Sequence, residues 1–178
     1  MELFEKTISS EDIYDGRIIK ITCDTIELPD GRRALREVVG HPGGACVVPI
    51  DEKNNILMVE QFRYPMKEIV LEIPAGKLEW GENPDSAVER ELREETGFTA
   101  DNIEYLGVNY PTPGYCAEKL YLYMATGLHK GEQELDADEY LNVKSVPFSV
   151  AVDMVMSNSI KDSKTVAAIL LAARRLGL

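Results

Sequence analysis

Glu91, Glu94 and Glu95 stand at i, i+3 and i+4 in the segment Arg90-Glu91-Leu92-Arg93-Glu94-Glu95-Thr96-Gly97. At about 100° per residue, a helix would carry all three carboxylates on one face. Like charges this close repel one another, so the grouping makes sense where a cation compensates. Acids with no neighbouring histidine suit a hard, oxygen-seeking ion such as Mg²⁺ or Mn²⁺, and the two histidines, His41 and His129, lie far off in sequence. Taken alone, such a cluster is more often a solvated acidic face. What favours an ion site is the preceding Gly76-Lys77-Leu78-Glu79-Trp80-Gly81-Glu82, a glycine-bounded loop able to bring backbone carbonyls to a metal.

The acids sit on the clearest helix of the chain. Asn83 is a good N-cap, Pro84 suits the first helical position, Asp85 suits the positive end, and Gly97 stops the helix. Val88 and Leu92 form an apolar stripe that would dock on a sheet, placing the acids at the edge of buried surface. Upstream, Arg17 to Val39 reads as a hairpin. Ile19, Ile21 and Cys23 alternate with polar positions, and Pro29-Asp30-Gly31 makes the turn. Further strands are expected at Ala45 to Ile50, Ile56 to Phe62, and Ile69 to Ile73 (closed by Pro74-Ala75-Gly76). Others are expected at Ile103 to Asn109 and Lys119 to Ala125. Two helices follow, Phe148 to Ser157 and Ser163 to Leu176, the second with an apolar stripe of Val166, Ile169, Leu170 and Ala173. Strands first, one helix in the middle and helices last predict an α/β (α+β) chain folded as a mixed sandwich rather than a doubly wound parallel sheet.

Bulk properties narrow the function. A chain of 178 residues with 44% apolar and 28% charged content suits a globular protein with a sizeable core. A net charge of −12 argues against nucleic-acid binding, which needs a basic surface. Small phosphorylated substrates remain open to it if divalent cations stand between carboxylates and ligand. No run approaches a membrane span, and MELFEKTISSED carries acids where a signal peptide carries basic residues. Cys23, Cys46 and Cys116 fit neither a zinc spacing nor a disulfide framework, so a reducing cytoplasm is the expected setting. No histidine base or cationic neighbourhood accompanies Cys116, which is expected to be structural.

Gly76, Glu82, Arg90, Glu91, Leu92, Glu94, Glu95, Gly97 and Phe98 match every fixed position of the pattern G-x5-E-x7-R-E-U-x-E-E-x-G-U, where U is a bulky apolar residue. The chain therefore resembles the Nudix hydrolases. The resemblance implies an α/β/α sandwich with a mixed β-sheet. It also implies hydrolysis of a pyrophosphate by a metal-activated water. On the matching positions, Glu91, Glu94 and Glu95 with the carbonyl of Ala75 are implied metal ligands, Glu94 also taking part in catalysis. Glu82, Arg90 and Gly97 are implied to order the loop and helix.

Outside the box, four stretches are similar to bacterial ADP-ribose pyrophosphatases of that family. They are Arg36-Glu37-Val38-Val39 with His41-Pro42-Gly43, Glu60 to Pro65, Glu72 to Glu79, and Tyr110 to Tyr115. This likeness implies release of AMP and ribose 5-phosphate from ADP-ribose. It implies two regions, an N-terminal β subdomain over residues 1–42 that mediates homodimerisation and a hydrolase domain over 43–178. Arg63 has the paired donors to clamp a phosphate; an ordinary surface ion pair is its plainer reading. Arg36 and Glu37 suit an adenine edge, contributed from a partner subunit in the family; cross-strand charge pairing is the plainer reading. Gly76 and Glu118 are further substrate-contact candidates. The general base is expected in the loop from Gly131 to Tyr140, at Glu139, with Asp136 or Asp138 contributing. Competing functions are a pyrophosphatase for UDP- or GDP-hexoses and a ligand-sensing regulator without catalysis. The intact box and the absence of an added basic domain disfavour the regulator.

Overall fold

The computed structural model describes residues 3–137 and 139–178. The chain divides into two compact units, one made of the chain up to Gly43 with Tyr110–Lys119, the other of Gly44–Asn109 with Leu120–Leu178.

The first unit is a three-stranded antiparallel sheet, β1 (Lys6–Asp15), β2 (Lys20–Glu27) and β3 (Arg33–Gly40), in the order β1-β2-β3. The β2–β3 hairpin turns where Pro29-Asp30-Gly31 predicts, with Gly31 at φ 82° donating to Leu28 O. β1 was not expected. Its residues are exposed along the whole strand, so no inward face gives it a period-two hydrophobic pattern. Tyr110–Lys119 joins this unit through Val39 N–H to Tyr115 O and Ala117 N–H to Val39 O.

The second unit is a sandwich. A four-stranded sheet runs β7-β4-β9-β8, from β4 (Gly44–Pro49), β7 (Ala75–Lys77), β8 (Phe98–Asn109) and β9 (Leu120–Lys130). β4 and β9 are parallel, and the other pairings are antiparallel. A second sheet runs β10-β5-β6, from β5 (Asn55–Arg63), β6 (Glu68–Glu72) and β10 (Leu141–Pro147). The apolar run of β4 marks a strand covered on both faces. Cys46 and Val48 pack with Leu122, Met124, α2 (Phe148–Met156) and α3 (Ser163–Leu176). Ala45 and Val47 pack on the other side with Tyr123 and with Ala87, Val88 and Leu92 of α1 (Pro84–Thr96). This is the expected α/β/α arrangement with a mixed sheet.

Two details differ from expectation. Pro74-Ala75-Gly76 does more than close β6, because Ala75 opens the short strand β7 paired with Cys46. The buried stripe of α3 is Lys164, Thr165, Ala168, Ile169, Ala172 and Ala173, while Leu170 is 39% exposed. Polar partners inside the protein draw Lys164 and Thr165 inward and rotate the helix away from the face hydrophobicity alone selects.

Candidate active site

Helix α1 begins at Asn83, whose Oδ1 accepts from Asp85 N–H (2.9 Å), with Pro84 in the first turn. It ends at Gly97 in the left-handed region (φ 75°), whose N–H donates to Arg93 O (2.8 Å). Docking Ala87, Val88 and Leu92 on β4 carries the neighbouring acids into cover, leaving Glu91 8% and Glu95 2% exposed. Burial raises the Glu91 carboxyl to about 7 against the opposing Arg90 charge, and raises Glu95 to about 8. Glu95 Oε2 accepts from the Ala75 amide (2.9 Å). The Glu91 carboxylate lies so close to Gly76 that a Cβ there would stand 1.8 to 2.0 Å from it. Only glycine permits this approach.

Arg90 ties the loop to the helix. Its Nη1 lies 2.7 Å from Glu91 Oε1 and donates to Glu94 Oε2 (2.9 Å), while Nη2 donates to Glu82 Oε1 (3.4 Å). Glu82 Oε2 in turn accepts from Glu79 N–H (2.8 Å), closing the loop.

The donor chemistry fits a divalent cation. Two of the carboxyls are raised by burial, a third stands one helical turn from Glu91, and every available ligand atom is a hard oxygen. Among the described residues, no three such groups converge at ligand distance. The Arg90 guanidinium lies against both Glu91 and Glu94.

The loop before β10 is fastened to the C-terminal end of α1. Gly131 N–H donates to Gly97 O (2.6 Å), Glu134 N–H to Glu94 O (3.1 Å) and Gln133 Nε2 to Glu95 O (2.5 Å). These bonds satisfy carbonyls that a helix end leaves unpaired, and they bring Glu139 within electrostatic reach of Glu91, Glu94 and Glu95. Burial and the Asp136 charge hold the Glu139 carboxyl above its ordinary range, opposed by the Arg63 charge. Asp138, the other loop acid considered, lies outside the described residues. A cleft of about 310 Å³, walled by Phe62, Ile69, Leu135 and Tyr140, opens beside Glu139.

Arg63 is tied to Glu72 by two bonds, Nε to Oε1 and Nη2 to Oε2, both 2.6 Å. Glu72 is buried at the end of β6. The pair is therefore neither an exposed surface bridge nor a free clamp: one edge of the guanidinium is committed and, among the described residues, Nη1 is left over.

Arg36, Glu37 and Glu118 belong to the N-terminal unit. The Arg36 guanidinium is held by Glu5, with Nε to Oε2 at 3.0 Å and Nη2 to Oε1 at 2.6 Å, a partner remote in sequence. Glu37 is exposed on β3. Glu118 Oε1 faces His41 Nδ1 at 3.5 Å, but that nitrogen already accepts from Gly43 N–H (3.1 Å). Sequence reasoning gave no individual role to Gln133 or Glu72, which lie in stretches it singled out, and none to Asp162 or Lys164. The one legible signal was a lysine entering an apolar helix face just after an aspartate at the N-cap position.

Comparison with known proteins gives a consistent picture. Residues 40–168 match the NUDIX domain model, and residues 5–39 match the nucleoside diphosphate sugar hydrolase N-terminal domain. The chain is 43% identical to a methanol dehydrogenase activator of Bacillus methanolicus, over 93% of this chain and 90% of that one. It is 41% identical to an ADP-ribose pyrophosphatase of Bacillus subtilis (strain 168), over 94% and 91%. A crystal structure of an ADP compounds hydrolase, 22% identical, superposes with a TM-score of 0.87 over 99% of this chain and 97% of that chain.

Proposed function

The chain belongs to the NUDIX domain family, and from that premise we propose that it hydrolyses the pyrophosphate of ADP-ribose to AMP and ribose 5-phosphate. The observation that carries the chemistry is the pair of buried carboxyls, Glu91 and Glu95, on one face of α1, with Glu95 bonded to the Ala75 amide. The substrate reading is supported by 41% identity to the Bacillus subtilis ADP-ribose pyrophosphatase along nearly the whole chain.

Glu91, Glu94, Glu95 and the Ala75 carbonyl are the residues proposed to hold a divalent cation, Mg²⁺ with Mn²⁺ as a substitute. When bound, such an ion supplies charge neutralisation at the phosphoryl oxygens and a lowered pKa for water. Glu139, with a raised pKa, accepts the proton as the water oxygen bonds to phosphorus and the bridging P–O bond breaks. The uncommitted Nη1 of Arg63 binds a phosphate oxygen. Gly76 allows Glu91 its position, and Glu82, Arg90 and Gly97 hold the loop and helix in register. Arg36 and Glu37 are assigned to the adenine edge across a homodimer formed by the N-terminal unit, with Glu118 as a further substrate contact. Residues 1–42 then act as the dimerisation element and 43–178 as the hydrolase domain. A cytoplasmic setting, expected from three cysteines whose spacing fits neither a zinc site nor a disulfide framework, completes the reading.

Measuring AMP, UMP and GMP released from ADP-ribose, UDP-glucose and GDP-mannose tests the substrate. A higher kcat/KM for either hexose would replace ADP-ribose with another nucleoside diphosphate sugar, the alternative that the N-terminal domain match keeps in view. Activity unchanged in a demonstrated monomer would remove the shared adenine site. A second reading rests on the 43% identity to a methanol dehydrogenase activator: the chain stimulates a methanol dehydrogenase. A dehydrogenase assay with and without added chain decides it, and an unchanged rate removes it.

A further inference from the structure

Beneath Arg63 lies a buried ionic chain that pyrophosphate chemistry does not itself require. Glu72, 1% exposed, accepts two bonds from Arg63 on one side. On the other side its Oε2 accepts from Lys164 Nζ. Lys164 is also buried and donates a second bond to Asp162 Oδ2 (2.9 Å). Asp162 is the N-cap of α3, and the same Oδ2 accepts from Thr165 N–H (3.0 Å) and Thr165 Oγ1 (2.6 Å). The Thr165 hydroxyl accepts from Ile73 N–H (3.0 Å), beside Glu72. The first turn of α3 is thus bonded to the end of β6 at two adjacent residues, and Glu72 carries that register on to Arg63.

The charges balance locally: Arg63 and Lys164 against Glu72 and Asp162. A buried ion pair is weak evidence for stability, since well-packed apolar residues often serve as well. It does fix geometry. With both carboxylate oxygens engaged, Glu72 has no freedom to rotate, and a planar guanidinium bonded through Nε and Nη2 can point Nη1 in one direction only. That nitrogen has no partner among the described residues, and Arg63 lies within electrostatic reach of Glu95 and Glu139.

We propose that Lys164 is a positioning residue: by holding Glu72 from behind, it sets the direction in which Arg63 presents Nη1 to a substrate phosphate. The inference rests on Arg63 being a phosphate ligand, as proposed above. Lys164→Met should lower kcat/KM for ADP-ribose by about 10- to 100-fold, the scale of a misplaced binding group. In an Arg63→Ala background the same substitution should have no further effect on kcat/KM. Glu72→Gln with Lys164→Met leaves Arg63 and Asp162 as balancing charges, so it carries the test if the single variant does not fold. Its melting temperature should return toward the parent while kcat/KM stays low.

A purely structural role predicts that activity recovers with stability, and that result overturns the proposal. So does a Lys164→Met loss of equal size with and without Arg63. If Arg63→Ala alone leaves kcat/KM unchanged, the phosphate-ligand reading itself has failed. If Arg63→Ala lowers it and Lys164→Met does not, only the positioning inference fails.

Discussion

Removing divalent cations and raising the pH should destabilise this protein in a way its structure specifies. Glu95 is 2% exposed and its carboxyl is raised from 4.5 to about 8; Glu91 is 8% exposed and raised to about 7. The unfolded chain ionises both near 4.5, so between that pH and about 8 the folded state binds more protons. Stability is therefore fully present below about 4.5 and is lost as pH rises through the folded values. At about 1.4 kcal/mol per tenfold change in proton affinity, Glu91 corresponds to about 3 kcal/mol and Glu95 to about 5 kcal/mol. The Glu91 charge helps raise Glu95, so the two protons leave in linked steps whose costs add, and Glu95 alone sets the lower bound.

In a chain of this size, about 5 kcal/mol is a fall in melting temperature of about 10 to 20 °C. The assay is thermal melting from pH 5 to 9 in chelator and again in excess Mg²⁺. The expected result is a steep decline in chelator that Mg²⁺ flattens, since a bound cation stabilises the ionised pair. Glu91→Gln with Glu95→Gln should abolish the decline without metal. Superimposable profiles with and without Mg²⁺ would refute the reasoning, as would an unchanged decline in the double variant.

Gly76→Ala places a methyl 1.8 to 2.0 Å from the Glu91 carboxylate. It should lower kcat on the order of 100-fold with the circular dichroism unchanged; full activity would show that Glu91 need not sit there. Glu139→Gln should lower kcat on the order of 100- to 10,000-fold. It should also remove the rise in kcat with pH that a base of raised pKa imposes, and a variant retaining that rise would clear Glu139. Glu94→Gln with Glu95→Gln should abolish turnover of ADP-ribose, and parental turnover would sink the metal site. Asn83→Ala removes the cap that accepts from Asp85 N–H and should cost about 1 kcal/mol, read as a small drop in melting temperature with unaltered KM.

Local chemistry made α1 legible without coordinates. Asn83, Pro84 and Gly97 act within a turn or two of themselves, and the i, i+3, i+4 spacing fixes which acids share a face whatever they pack against. β4 was legible for a related reason, because burial on both faces demands an unbroken apolar run. β1 escaped notice because a strand with no buried face has no pattern to display. Only the tertiary structure decided how deeply each acid is buried, and so which carboxyls are raised. It alone showed that the Ala75 amide donates to Glu95. It set Glu5 against Arg36 and Lys164 against Glu72, pairs separated by 31 and 92 residues. Charge attraction acts through space with no sequence period. The hydrophobic spacing of α3 suggested Leu170 as a core residue, but the buried partners of Lys164 and Thr165 turned that helix instead.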